Sequence, residues 1–230
     1  MSANATLPTG LALSDPDADA LCAPWTLFRR PRARAAVRLL CLPFAGGSAL
    51  AYRQWGGQLP DFVEVCPLQL PGRSNRSHEP PHTRVADLLD QLLPAIAPLL
   101  RDLPIALFGH SMGAALALAV AAELEHQGKA PLRLFASGRL PPLPGSGHAL
   151  HLCDDAALTA YLRELGGTPD IVFEDPELKA MVFRVLRADL ALNGDLDAVR
   201  PLRAVPISVL GGERDPRVPP ASLPAWSALT

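Results

Sequence analysis

The sequence is poor in the residues that several functions require. Its four cysteines, Cys22, Cys41, Cys66 and Cys153, form no CxxC pair, and two of them lie inside apolar runs where the thiol behaves as a small hydrophobe. A reducing, cytoplasmic setting is expected. Neither charge is in excess: 21 basic against 23 acidic residues give a formal net charge of −2. That balance generates no global field favouring nucleic acid or an anionic membrane, and neither is an expected partner. No apolar run approaches the length needed to cross a bilayer, and the start, MSANATLPTGLALSDPDADA, lacks a basic region followed by an apolar core. Repeats and low-complexity tracts are also missing. What remains is 230 residues, 49% of them hydrophobic, enough for one sizeable core and one domain. Residues 1–24, scattered with Ser, Asp, Gly and Pro, are expected to be a flexible tail, with the domain over 25–230.

Five apolar runs share one grammar: VRLLCLPFAGG, DFVEVCPLQLPGR, PIALFGHSMG, PLRLFASGR and PISVLGGERD each end in glycine, proline or charge. Continuous rather than alternating apolarity marks strands covered on both faces. Between them run helical patterns: Arg84 to Leu100, which Pro94 and Pro98 should kink or shorten, and the alanine-rich stretch Gly113 to Gln127. Strands alternating with helices predict an α/β fold, a mostly parallel sheet flanked by helices, with ligands bound beyond the carboxyl ends of the strands. From about 141 to 200 the grammar changes to two helices with no clear strand between them. Asp154 or Asp155 caps the first, which Gly166 and Gly167 end; Asp175 caps the second, with Pro176 in its first turn. Such an insertion over the strand ends would be a lid.

The carboxyl ends also carry the candidate chemistry. In GHSMG, Ser111 lies between Gly109 and Gly113, after an apolar strand and before a helix. That context places a hydroxyl at the apex of a strained bend, with glycines where strand and helix approach too closely for side chains. Ser111 is the candidate nucleophile. Acyl transfer also needs oxyanion donors, and the amides of Met112 and of Ala45, in the glycine-rich loop LPFAGGSA, are the candidates. Asp215, just beyond the last strand, is the candidate acid, in the chain order Ser, acid, His; Glu213 is its rival. Arg73, Arg76 and Arg139, near strand ends, are weaker candidates for contacts to phosphate or an acidic partner.

Over most of the chain from about Leu39, the sequence resembles the type II thioesterases that accompany polyketide synthases and nonribosomal peptide synthetases, a branch of the α/β hydrolases. The resemblance is carried by LPFAGGSALAYRQW, VCPLQLPGR, LFGHSMGAALALAVA, ASGRLPP, LRELGGTPD, DPELKAMVFRVLRADL and PISVLGGERDP. It implies an α/β-hydrolase fold and hydrolysis of acyl or peptidyl thioesters from the phosphopantetheine arm of an acyl or peptidyl carrier protein, releasing stalled or misprimed chains. No metal or organic cofactor is implied.

A base is harder to find. In that family the catalytic histidine follows the acid in a GGHF-like turn, whereas here only 15 residues follow Asp215 and no histidine follows His151. His110, next to Ser111 on an extended chain, points to the opposite side and is expected to serve packing. His78, His82, His148 and His151 fall in loop or lid segments, and His126 at a helix end. The favoured expectation is a catalyst whose last strand and histidine are missing from this chain, since their loss would leave a sheet edge open. The alternatives are a non-catalytic protein that binds acyl carriers and a hydrolase of small esters or amides.

Overall fold

The computed structural model describes residues 20–142, 150–196 and 199–230. All five expected strands form: β1 Val37–Leu42, β2 Val63–Pro67, β3 Ile105–His110, β4 Leu134–Ser137 and β5 Ile207–Leu210. They make one sheet in the order β2-β1-β3-β4-β5, and every neighbouring pair is parallel. The chain therefore moves outward from β1 to β2 and then returns to the other side of β1. That reversal makes the carboxyl ends of β1 and β3 the switch point of the sheet, the place where sheets of this kind bind ligands.

Burial explains the continuous apolarity. Successive residues Leu40, Cys41 and Leu42 of β1 are all at 0% exposure, so both faces of the strand are covered. On one face lies α3, Met112–His126, whose buried residues run from Met112 through Ala121 without a gap. A helix apolar on every side belongs in the interior. The other face is closed by an aromatic group in which Trp55, from the short helix α1 (Trp55–Gln58), meets Tyr52 and Phe108 at centroid distances of 5.0 and 4.7 Å.

The helix expected over Arg84–Leu100 is α2, Val85–Ile96, followed by a tighter 3-10 segment, Ala97–Leu100. Pro98 has no N–H to give the carbonyl of Pro94, and the Ala97 amide bonds that carbonyl instead, tightening the turn. After β4 come α4 (Asp155–Leu165), α5 (Ile171–Glu174) and α6 (Pro176–Asp195). Asp154 caps α4 by accepting from the Ala157 amide at 2.8 Å, and Asp175 caps α6 through the Glu177 and Leu178 amides at 2.9 and 3.0 Å. The four-residue α5 was not anticipated from the sequence. The chain closes with a 3-10 stretch, Pro220–Leu229, that buries Trp226 against the core.

Residues 1–19, most of the stretch expected to be a tail, lie outside the described residues. Its last part does pack: Cys22 is buried with Trp25, and the Gln69 amide donates to the Trp25 carbonyl at 2.8 Å.

Candidate active site

Ser111 stands between β3 and α3 with φ 53° and ψ −120°, a left-handed backbone unusual outside glycine. Its neighbours make that bend possible. A Cβ on Gly109 would lie 2.0 Å from the Gly113 carbonyl oxygen, and one on Gly113 would lie 2.2 Å from the Leu42 carbonyl oxygen and 2.7 Å from that of Pro43. The two glycines thus let the turn fold on itself and against the end of β1. The Ser111 amide donates to the Ser137 carbonyl at 2.8 Å, tying the turn to β4 as well. Met112 is the first residue of α3, and its N–H has no acceptor inside the helix.

The loop after β1 is a tight turn in which the Gly47 amide donates to the Phe44 carbonyl at 2.8 Å and Gly46 takes φ 75°. The amides of its last three residues have different fates. Gly47 closes the turn, Gly46 donates to Asp189 Oδ2 at 2.7 Å, and Ala45 donates to no group among the described residues. The Ala45 side chain packs against an apolar cluster of the inserted helices: Leu158, Leu162, Phe183, Leu186 and Leu190. The insertion also reaches the loop after β5, where Arg217 pairs with Glu164 of α4 at 2.6 Å and lies over the Tyr161 ring at 5.4 Å.

Asp215 sits at the tip of that loop, half-buried, with Oδ1 accepting from the Arg217 and Val218 amides at 2.9 and 3.2 Å. Glu213 is exposed. The Asp215 carboxylate is close enough to His110 to favour its protonation, but desolvation is the larger influence and leaves the imidazole below its ordinary 6.5. His110 is held by Ser137 Oγ, 3.1 Å from Nδ1, and stands edge-on to Phe44 at a centroid distance of 6.1 Å. Among the described residues no histidine is hydrogen-bonded to Ser111. His78 and His126 are exposed, His82 and His151 half-buried, and His148 lies outside the described residues.

The three arginines considered for phosphate or carrier contacts are engaged internally. Arg73 is buried against Asp189; Arg76 is buried with Glu79 at 2.6 Å and stacked 3.9 Å over Trp25; Arg139 donates to Asn193 at 2.5 Å. For Arg73 and Arg76 that expectation is corrected, because buried guanidinium groups need fixed acceptors and these two have found them inside the fold, whereas Arg139 is only half-buried. Asp189 itself was missed, although an acid between Leu186 and Leu190 on an otherwise apolar helix face was a readable signal. A groove of about 510 Å³ between α2 and α3, lined by Leu89, Leu93, Pro94, Glu123 and Gln127 among others, contains none of these residues.

Residues 37–230 match the thioesterase domain family. The chain belongs to the thioesterase family. It is 36% identical over 210 residues to the gramicidin S biosynthesis protein GrsT of Aneurinibacillus migulanus, covering 90% of this chain and 81% of that protein. Among solved structures it resembles the RedJ thioesterase from the prodiginine pathway of Streptomyces coelicolor, with 38% identity, a TM-score of 0.77 and coverage of 86% and 79%. It also resembles YbtT, a type II thioesterase of the yersiniabactin pathway, with 32% identity, a TM-score of 0.77 and coverage of 88% and 83%. This thioesterase therefore has the α/β-hydrolase architecture that its parallel sheet and inserted helices describe. No helix among its described residues is long and apolar enough to cross a membrane.

Proposed function

We propose that this thioesterase hydrolyses acyl or peptidyl thioesters held on the phosphopantetheine arm of a carrier protein, clearing stalled or misprimed chains from a synthase. Ser111 attacks the thioester carbonyl, the amides of Ala45 and Met112 receive the negative charge that develops on its oxygen, and water then cleaves the acyl-enzyme. The observation carrying this reading is the Ser111 bend: its positive φ lies where Gly109 and Gly113 let strand and helix approach too closely for side chains, and strain at such a position marks a functional constraint. The Ala45 amide donates to no group among the described residues, whereas those of Gly46 and Gly47 are engaged. As the C–S bond breaks, the arm's sulfur leaves as a thiol with the proton taken from Ser111. The resemblance assigns that transfer to a histidine that follows the acid and that Asp215 would orient, and no histidine follows Asp215 in this sequence. The inserted helices α4 to α6 act as a lid that shapes acyl-chain preference, and the setting is cytoplasmic.

The test is release of short acyl groups from an acylated carrier protein by the wild type and by Ser111→Ala. The expected result is release by the wild type and loss of about three orders of magnitude in the variant. Equal rates in both would remove the serine from the chemistry. Cleavage of small oxygen esters with no action on the carrier would favour a general esterase.

A second reading has a specific support: no histidine is bonded to Ser111 among the described residues. In that reading the protein binds acylated carriers without turnover. Carrier binding with no acyl release, unchanged by Ser111→Ala, would select it.

A further inference from the structure

Three segments distant in sequence meet at one buried carboxylate. Asp189 of α6, 1% exposed, accepts from Arg73 Nη1 at 2.6 Å and Nη2 at 2.7 Å, and its Oδ2 also accepts from the Gly46 amide at 2.7 Å. Arg73 follows β2, and its Nη1 reaches across to the Gly47 carbonyl at 3.1 Å while Nε bonds the Pro71 carbonyl at 3.2 Å. The turn after β1 is therefore gripped on both sides of Gly46: by its own N–H from the acid and by the following carbonyl from the base.

Anchoring α6 to the sheet needs only the two-pronged bond between guanidinium and carboxylate. The third bond, to the Gly46 amide, does something else: it fixes the orientation of the peptide between Ala45 and Gly46. With Gly46 committed to Asp189 and Gly47 to the turn, the neighbouring Ala45 N–H is held without an acceptor among the described residues. An oxyanion donor is effective because it is already placed, and a displacement of about 1 Å can lower a rate by about 100-fold.

We infer that Asp189, held by Arg73, is the positioning residue of the oxyanion loop, so that the donor's placement depends on the seating of α6. The inference rests on the proposed thioesterase chemistry for its rate effect, but not for the hydrogen bond that produces it. It makes the inserted helices part of the catalytic geometry as well as a cover.

The test compares the wild type with Asp189→Asn and with the double variant Arg73→Met, Asp189→Leu. Removing one member of a buried pair leaves an uncompensated charge, whereas replacing both by apolar groups of similar size often preserves stability. The double variant therefore separates holding the fold from placing the loop. Each protein is measured for its urea midpoint, for kcat and KM on an acylated carrier, and for amide exchange at Ala45 and Gly46 by NMR. Asp189→Asn is expected to lower kcat by about tenfold or more with KM within about twofold. The double variant is expected to regain the wild-type midpoint but not kcat, with Gly46 exchange accelerated by about tenfold or more in both. Recovery of kcat together with the midpoint would reduce Asp189 to a structural role and overturn the inference. If the wild type releases no acyl group, the proposed function fails separately and exchange decides: accelerated exchange at Gly46 supports the positioning role, and unchanged exchange overturns it.

Discussion

The imidazole of His110 occupies the space that a side chain on Gly138 would need. Gly138 has φ 58°, and a Cβ there would lie 2.4 Å from His110 Cε1. Gly138→Ala therefore combines a clash with backbone strain, and is expected to destabilise the protein by about 1–3 kcal/mol. The check is a urea midpoint, with His110→Ala in the same background restoring part of the loss. An unchanged midpoint in the single variant would show that the ring is not confined as described.

Gly113, at the Ser111 bend, should be far less tolerant of substitution than a glycine in open space. A Cβ on Gly113 meets the backbone of β1 at 2.2 Å, whereas one on Gly57, in the exposed helix α1, has nothing within 4 Å. Gly113→Ala is expected to cost about 3 kcal/mol, while Gly57→Ala should add about 0.5–1 kcal/mol by favouring the helix. Equilibrium denaturation of the pair reads both signs.

Ala45→Pro separates the loop's shape from its amide. The turn has Ala45 second and Gly46, at φ 75°, third, an arrangement in which proline suits the second position. The substitution removes the N–H while leaving the turn. Acyl release is expected to fall by about 100- to 1,000-fold with little change in thermal midpoint. Retained activity would remove Ala45 from the oxyanion site.

The charge on Asp215 should be legible at His110. Desolvation holds the imidazole below its ordinary 6.5, and the carboxylate offsets part of that depression. Asp215→Asn removes the offset, so NMR titration should find the His110 pKa lower still. A rise or no change would place Asp215 outside the reach of that ring.

Acid stability should depend on a pair at the opposite end of the sheet. A hydrogen bond from Arg38 is the largest influence on Asp102 and holds its carboxyl below the ordinary 3.8. A group whose pKa is depressed on folding contributes stability above its unfolded value and loses it as pH falls through the folded one. Stability contributed by this pair is thus present at neutral pH and declines below about pH 4. Asp102→Asn should flatten that part of the profile, as followed by thermal midpoints from pH 2 to 6.

The local parts of this architecture were legible because their causes are local. The Ser111 bend shows in GHSMG because both glycines answer contacts made within one turn of chain or at the end of the adjoining strand. The end of α2 shows in Pro98, whose missing N–H acts on the turn before it. Helix α5 did not show, since four residues carry no periodicity. Arg73 pointed the wrong way for a different reason: its partner is 116 residues away. Nothing near a PGR triplet distinguishes a guanidinium bound for solvent from one that a later helix will bury.

The hydrogen-bonded register between β1 and β3 pairs Leu42 with Gly109, immediately before the turn after β1 and the Ser111 bend. Both candidate reaction elements thus ride on a single two-strand ladder in the middle of the sheet, while the inserted helices are attached to it at a few points. Engineered exchange of those helices between relatives would leave the ladder itself in place. Such a transplant carries one condition: it must bring an acid to face Arg73, or the incoming piece will fit the scaffold and leave the Gly46 amide without its acceptor.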